Sequence, residues 1–276
     1  MALEQLQQIA HPKIEGGTML LALAGWMDGG HVSTGTVGRM MEGRSAAEFA
    51  RINSDPFYIY NFPGSMEIAA LFRPPVKLEN GLIRELEMPV NVFHCDEAGK
   101  LAFFIGREPN LRWQEFADCI FAVVKEIGVS RIIFMGSFGG GVPHTREPHM
   151  YASISHPSLR AFLRGHNLRF SDYQGPSSFS TLLLAQSADR GVEMISLVAE
   201  IPSYLQGLNP LSIEAVTRRL ARILNEPVDF DALRAASNAW EIQVSEAVER
   251  DQDLAATVRR LEEEYDNELI GKGAPE

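Results

Sequence analysis

The stretch GSFGGGVPHTREP, residues 136–148, directly follows the apolar run RIIFM of residues 131–135. A short apolar run bounded by glycine predicts a buried β-strand. Glycines in series let the backbone adopt positive φ and bring its N–H groups close to a partner. The glycine loop lacks the Gly-Lys-Ser/Thr ending of a P-loop and the G-x-G-x-x-G spacing of a dinucleotide-binding turn. Two interpretations stand: a tight strand exit packed under other loops, or a binding loop in which His144, Thr145 and Arg146 lie beside the glycine amides.

The composition is that of a globular protein with one large domain, alone or with an appendage. Of 276 residues, 45% are hydrophobic and 22% are charged, which is ordinary for a globular chain. The sequence begins without a basic leader, and its longest early apolar stretch, residues 19–27, is far shorter than the roughly 20 residues of a membrane helix. It contains no clustered basic residues that would suit nucleic acid or a lipid surface. We expect a cytoplasmic protein that binds neither nucleic acid nor membranes.

The placement of cysteine and histidine indicates no metal and no cofactor. Cys95 and Cys119 are too few for a disulfide framework and too isolated for a zinc site, so we expect two reduced, structural thiols. His144 and His149 flank Glu147, but their spacing in a proline-broken loop matches no standard ligand set. The sequence around Ser137 is also not the G-x-S-x-G nucleophile motif. Catalytic residues therefore stay unassigned.

Strand and helix patterns alternate along the chain and predict an α/β fold. Apolar runs predict strands at residues 18–24, 48–53, 57–60, 82–87, 90–95, 100–105, 131–135 and 193–199. Periodicity and capping residues predict helices at residues 32–41, 178–190 and 210–224, and a further helix that Asn110 caps and Gly128 ends. The succession of strand, helix and strand favours a mixed sheet flanked by helices.

Residues 226–276 form an acidic segment that differs from the rest of the chain. They carry fourteen acidic and five basic residues, so −9 of the total net charge of −11 lies there. Apolar positions fall on one heptad seam that only Asp251 interrupts: Trp240, Val244, Ala247, Leu254, Val258, Leu261 and Tyr265. We predict a helix or helix pair that packs on its own body or contacts another subunit, with Asp251 either near an arginine or where the seam opens to water. The expected division is an α/β domain at residues 1–225 and a helical C-terminal extension at residues 226–276.

Several motifs together resemble the PAC2 family, named for the proteasome assembly chaperones. They are GWMD (residues 25–28), FPGS (62–65), the glycine loop through Arg146, YQGPS (173–177) and IPSY (201–204), and they cover about residues 15–225. The resemblance implies a bacterial family member with a fold similar to purine nucleoside phosphorylases and hydrolases and with a helical C-terminal extension. It also implies a homo-oligomer, with a trimer favoured by the fold comparison.

The resemblance implies two alternative functions. In the first, the protein is a non-enzymatic interaction or assembly factor whose client is a proteasome subunit or another protein. The chain ends in GAPE, whereas some relatives that bind proteasomes end in a hydrophobic-Tyr-any-residue motif, which weakens docking by the tail. In the second, an enzyme similar to nucleoside phosphorylases or hydrolases binds a small molecule at the glycine-rich loop. Residues 175–180, however, lack the carboxylate with which the phosphorylases hold ribose.

We predict the first function. For the second, the candidate ligand-binding residues form one pocket at the carboxyl ends of the strands that precede the two glycine-rich turns. Those residues are Trp26, Asp28, Gly136, Ser137, Gly139, Gly140, Gly141, His144 and Arg146. Asp28 has a second interpretation, as a turn residue that caps the next helix.

Overall fold

The computed structural model describes residues 2–273 of the chain. Within that range the strands are β1 (Leu6–Gln8), β2 (Gly17–Ala24), β3 (Ala47–Ile52), β4 (Val76–Glu79), β5 (Leu82–Leu86), β6 (Val92–Asp96), β7 (Leu101–Arg107), β8 (Val129–Gly140), β9 (Met150–Ile154), β10 (Arg169–Phe170) and β11 (Glu193–Pro202). The helices are α1 (Val32–Met41), α2 (Met66–Ala70), α3 (Trp113–Ile127), α4 (Leu159–Phe162), α5 (Phe179–Ser187), α6 (Pro210–Leu224), α7 (Asp231–Glu249) and α8 (Gln252–Gly273). The predicted bounds of α1 and α6 are confirmed.

Nine of these strands form one mixed sheet, in the order β1-β3-β6-β7-β2-β8-β11-β9-β10. The four central strands β7, β2, β8 and β11 are parallel. Antiparallel neighbours extend the sheet on both sides, with β6 against β7 and β9 against β11. Parallel neighbours need crossover connections, which place helices on the faces of the sheet. The predicted mixed sheet flanked by helices is confirmed.

Two hydrophobic cores lie on the two faces of this sheet. On one face, α3 and α5 cover the strands, and Phe116 of α3 packs in the same cluster as Phe134 of β8. On the other face, α1 and α6 bring Val37 and Val216 into a cluster with Leu20 of β2. Successive side chains of a strand point to opposite faces, so each central strand contributes to both cores. The result is a three-layer α/β/α arrangement.

The predicted glycine loop is for the most part a strand. β8 continues to Gly140 and pairs in parallel with β11 from Arg131 opposite Glu193 to Gly140 opposite Pro202. The chain leaves the sheet at Gly141. The loop interpretation of residues 136–140 is therefore wrong, because their backbone groups belong to the ladder with β11.

Two smaller local predictions are also wrong. Residues 57–60 form no strand, since a short 3-10 helix at Asp55–Phe57 is followed by irregular backbone. Asn110 does not cap α3; its side chain accepts the backbone N–H of Ile59 instead, and Arg112 precedes the helix in a left-handed conformation. The predicted stop is confirmed, because Gly128 ends α3 with a φ of 82°.

Residues 61–90, here called the arm, leave the main sheet. The arm contains α2 and the hairpin β4–β5, which forms a separate two-stranded sheet. One face of the hairpin is apolar, because Val76 pairs with Leu86 and Leu78 pairs with Ile83. Of the twenty exposed large hydrophobic residues in the described part of the chain, eleven lie in the arm. The arm therefore carries an apolar surface that stays exposed in the single chain.

The acidic C-terminal segment forms two helices with a break between them. Asp251 lies exposed in the break between α7 and α8, and its carboxylate accepts the backbone N–H groups of Asp253 and Leu254 at 3.1 Å each. It therefore caps α8. The predicted opening of the seam at Asp251 is confirmed, and Ala247 just before it is exposed rather than packed.

After that break the seam packs on the body of the chain, since Val258 and Leu261 of α8 are at least nine-tenths buried. On α7 the seam residues Trp240 and Val244 are only partly buried, and the buried apolar positions are Leu233 and Val248, which lie outside the predicted seam. Among the helices of residues 2–273, none combines the length and the apolar character that a membrane span requires.

Candidate functional site

A cavity of about 570 Å³ opens where β2 and β8 end. Its floor is the sheet face that carries α5, since Met194 of β11 packs on that side and side chains alternate along a strand. The floor residues are Phe138 of β8, Ser196 and Val198 of β11, and Tyr151 and Ser153 of β9. This edge is where ligands gather in open α/β sheets, at the carboxyl ends of parallel strands.

The opposite wall comes from α5, from residues 171–178 before it and from the turn after β2. It consists of Ser171, Tyr173, Pro176, Ser178, Ser180, Thr181 and Leu184, with Trp26 and Met27 beside them. Glu108 joins the start of α5 to the turn after β2, because its carboxylate accepts the backbone N–H of Phe179 at 2.7 Å and that of Trp26 at 3.3 Å. Hydroxyl groups and aromatic rings dominate the wall, and no charged side chain is among the described residues that line it.

Three of the nine predicted ligand residues line this cavity: Trp26, Ser137 and Gly139. Trp26 is 66% exposed, so its ring stands at the mouth. The Ser137 hydroxyl donates to the carbonyl of Gly29 at 2.7 Å, and the Ser137 N–H donates to the carbonyl of Met27 at 2.8 Å. These bonds hold the turn after β2 against the end of β8 and so fix the shape of the mouth.

Asp28 lies behind the wall and caps α1. Its carboxylate accepts the backbone N–H of Thr34 at 3.0 Å and the Thr34 hydroxyl at 2.8 Å. Burial raises the pKa of this carboxyl, while the bonds from Thr34 act in the opposite direction. The observed contacts are those of a turn residue that caps the next helix.

Gly136, Gly140 and Gly141 lie outside the lining, and two of them are small because protein side chains pack against them. A Cβ atom at Gly136 would stand 2.8 Å from the ring of Phe134, and one at Gly140 would collide with the Glu200 carboxylate. The N–H of Gly141 donates to that same carboxylate at 2.8 Å. The anion beside this amide is therefore a side chain of the protein itself.

His144 and Arg146 face the C-terminal helices. His144 is buried; its Nδ1 bonds to the Tyr204 hydroxyl at 2.7 Å and its Nε2 to the Ser245 hydroxyl of α7 at 3.1 Å. Burial lowers the pKa of the His144 imidazole. Arg146 donates two bonds to the Asp266 carboxylate of α8, at 2.9 and 2.8 Å. The segment of residues 143–149 thus holds α7 and α8 on the body, and we call this set of contacts the clasp.

Aromatic and apolar groups complete the clasp. The Tyr265 ring of α8 stacks on His149, with centroids 4.7 Å apart and planes 8° apart, and its hydroxyl donates to the Glu147 carbonyl at 3.0 Å. Thr145 donates a further bond to Glu262. Leu261 packs over Gly141, where a Cβ would stand 3.7 Å from its Cδ2. Helix α8 is therefore docked by a mixture of ion pairs, stacking and apolar packing.

The predicted site residues thus fall into two neighbouring regions on β8 and the segment after it. Trp26, Ser137 and Gly139 belong to the cavity, whereas His144 and Arg146 belong to the clasp. Ligand binding by any of them stays a prediction. In residues 2–273 no three His, Cys, Asp or Glu side chains come together in a way that could hold a metal ion.

Sequence reasoning missed three residues that organise the site: Glu108, Glu200 and Tyr204. Glu108 directly follows β7, and a carboxylate at the end of a parallel strand is a usable signal. Glu200 follows the apolar run Leu197–Ala199 within β11, where an acid inside a strand indicates a specific partner. Tyr204 belongs to the IPSY motif, but the sequence gives no sign that it contacts His144.

A model of the PAC2 family matches residues 22–248, which include both the cavity and the beginning of the clasp. The chain belongs to the PAC2 family. The recognition from the GWMD, glycine-rich and IPSY motifs is therefore confirmed. A comparison with curated proteins finds no match.

Solved structures with the same fold come from bacteria and archaea. A Mycobacterium tuberculosis protein of unknown function is 22% identical, with a TM-score of 0.83 over 97% of this chain and 90% of that one. A Mycobacterium tuberculosis proteasome-assembly chaperone homologue is 25% identical, with a TM-score of 0.73 over 87% of this chain and 99% of that one. Pyrococcus furiosus PbaB, an archaeal proteasome activator, is 20% identical, with a TM-score of 0.64 over 88% of this chain and 97% of that one.

Proposed function

We propose that this PAC2 protein is a non-enzymatic interaction or assembly factor of the cytoplasm, and that the arm is its main protein-binding surface. The single observation that carries the proposal is the apolar surface of the arm. Its eleven exposed hydrophobic residues range from 41% exposure at Met88 to 82% at Met66. An isolated two-stranded hairpin is marginally stable in water, so a hairpin with an open apolar face needs a cover.

The size of this surface suits a protein interface. A side chain of this kind has about 60 to 120 Å² of apolar area. With a little over half of each exposed on average, the eleven residues present on the order of 600 Å². Patches on monomers rarely exceed about 300 to 600 Å², and a standard interface buries about 800 Å² on each partner. The arm therefore offers most of one side of a stable interface.

A second copy of the chain is the first partner we propose. The arm carries four acidic and three basic residues, a net charge of −1 within a chain of net charge −11. Its polar face is internally paired, since Glu79 bridges Lys77 at 3.5 Å and Arg84 at 3.2 Å. Two such surfaces approach without strong repulsion. The assembly is a homo-oligomer, for which the fold resemblance favours three subunits.

The client of this assembly is a proteasome subunit or another protein. Support comes from the solved relatives, which include a proteasome-assembly chaperone homologue and an archaeal proteasome activator. We further propose that residues 226–276 act as a helical appendage to an α/β domain at residues 1–225. The likeness of that domain to nucleoside phosphorylases or hydrolases stays a prediction, and no reaction is assigned to it.

Light scattering after size-exclusion chromatography tests the arm. The variant replaces Leu78→Glu together with Ile83→Glu, which places two charges on the apolar face of the hairpin. The matched control replaces Ile242→Glu together with Leu269→Glu, two residues that are 61% and 52% exposed on α7 and α8. We expect an oligomeric mass for the wild-type and control chains and a monomeric mass for the arm variant. A wild-type monomer, or an arm variant that remains oligomeric, contradicts the proposal.

A further inference from the structure

The cavity floor contains a hydroxyl group that bonds to no other described part of the protein but is accessible from the cavity. Ser196 is 7% exposed and lies in the wall of the cavity. Its hydroxyl makes no hydrogen bond with any residue that the structure describes. Its oxygen is not one of the fully buried atoms without a partner, so it faces the cavity and is free to form a hydrogen bond with a molecule bound there.

Ser153 places a second hydroxyl beside the first. The two serines are direct partners in the antiparallel pairing of β9 with β11, so their Cβ atoms are about 4.5 to 5.5 Å apart on one face. The Ser153 hydroxyl also makes no hydrogen bond within the described residues. Together they present a pair of donor and acceptor groups to whatever fills the cavity.

The other hydroxyls of the wall are already occupied. Ser178 bonds to Ser180 at 2.7 Å and to Thr181 at 3.1 Å, and Ser137 donates to Gly29. The hydroxyl groups that remain available to hydrogen-bond a ligand are therefore those of Ser153 and Ser196 on the floor.

Aromatic rings stand at the rim above this pair. Trp26, Tyr173 and Phe138 are 66%, 68% and 38% exposed, and all three line the cavity. Exposed rings around a concave site favour a planar, apolar group, because such rings stack on it. The floor and rim thus suit a molecule with a flat ring at one end and a polar group at the other.

The charges behind the wall oppose an anion. The Glu108 carboxylate stands on one side, and the Glu200 carboxylate on the other, where it accepts the Tyr151 hydroxyl at 3.2 Å. No lysine or arginine is among the described lining residues. Arg169 lies behind Tyr151, to whose hydroxyl it donates at 3.3 Å, but it is paired with Glu268. A phosphate or carboxylate group in the cavity would therefore meet two negative charges behind the wall and no cation among the described lining residues. Both carboxylates are hydrogen-bonded and neither lines the cavity, so a cation gains no direct ion pair.

We propose that this cavity binds an uncharged small molecule with an aromatic ring and a hydroxyl or amide group, and that Ser196 and Ser153 hydrogen-bond its polar end. This site lies apart from the arm and is independent of the interaction function. Its polar recognition comes from the serines, while Trp26 supplies the stacking surface.

The test uses three ring compounds of similar size and saturation-transfer NMR with the full chain. Benzamide is neutral, benzoate is a nearly isosteric anion, and benzylammonium is a cation. We expect saturable binding of benzamide, with benzoate and benzylammonium at least about tenfold weaker because neither charge finds a partner. Absence of saturable benzamide binding at millimolar concentrations, or equal binding of benzoate or benzylammonium, overturns the proposal.

Variants then locate the site. Ser196→Ala should weaken benzamide binding about three- to tenfold, the loss of one hydrogen bond, and Trp26→Ala should weaken it by a similar factor. Ser187→Ala is the control, since Ser187 is also buried but lies outside the cavity lining and bonds within α5, and it should leave binding unchanged. Unchanged benzamide binding in both Ser196→Ala and Trp26→Ala contradicts the assignment.

Discussion

Truncation of Leu261 is the most direct way to loosen the clasp. Leu261 is 9% exposed and lies on α8 over Gly141, with Val258 one turn before it on the same buried stripe. Removal of a buried leucine side chain destabilises by about 2 to 5 kcal/mol, and the lower end applies where the surroundings can collapse. Because α8 is an outer helix, we expect Leu261→Ala to reduce the free energy that holds it on the body by about 2 kcal/mol, or about thirtyfold in the opening equilibrium.

The ion pair of Arg146 with Asp266 should matter less, even though it is the most visible contact of the clasp. Both side chains are partly exposed, at 33% and 49%, and salt screens exposed pairs. Arg146→Ala should therefore increase the opening of α8 by a smaller factor than Leu261→Ala, and by a factor that shrinks at high salt.

Native-state hydrogen exchange of the α8 amides measures this opening. The matched control is Leu269→Ala on the same helix, where a leucine that is 52% exposed should change the opening by less than about 0.5 kcal/mol. The reasoning is refuted if Arg146→Ala opens α8 more than Leu261→Ala, or if Leu269→Ala has the effect of Leu261→Ala.

Two further predictions concern titratable groups. Burial lowers the pKa of His144 below its ordinary value of 6.5. On acidification the unfolded chain therefore binds a proton at this group before the native chain does. The contribution of His144 to the free energy of unfolding is full above pH 6.5 and is lost as the pH falls through the native pKa. An NMR titration of the native imidazole should give a midpoint below 6.5, and a midpoint above it would contradict the buried, neutral assignment. Burial also raises the pKa of Cys95 and Cys119 to about 11, so iodoacetamide should label both thiols in urea but neither in the native protein at neutral pH. Rapid native labelling of either thiol, seen by mass spectrometry, would count against this.

Local sequence signals predict the elements whose causes are local. Asn209 and Pro210 define the start of α6 because the Asn209 side chain accepts the backbone N–H of Ser212 and proline suits the first turn. Gly128 ends α3 for an equally local reason, its left-handed backbone. Such features need no knowledge of distant residues, and the sequence predicts them correctly.

The sequence does not predict features that depend on contacts with residues far away in the chain. The glycine run is predicted as a loop, but Gly140 is small because Glu200, sixty residues later, packs against it. The apolar residues of 82–87 predict a strand, but they do not show that this strand leaves the main sheet for the arm. The sequence marks His144 as a candidate site residue, but it does not reveal its partners Tyr204 and Ser245, which lie far away in the chain. The cavity serines carry no sequence signal, because a lone serine in a strand is common.

The central claim is that a protein partner covers the arm, and hydrogen exchange of the β4–β5 amides at several protein concentrations tests it most directly. An uncovered hairpin should exchange at nearly unprotected rates, because its bonds open readily in water. We predict protection that rises with protein concentration and disappears when Leu78→Glu and Ile83→Glu are introduced together. Exchange of these amides at unprotected rates at every concentration, in a chain that stays monomeric, would contradict the claim.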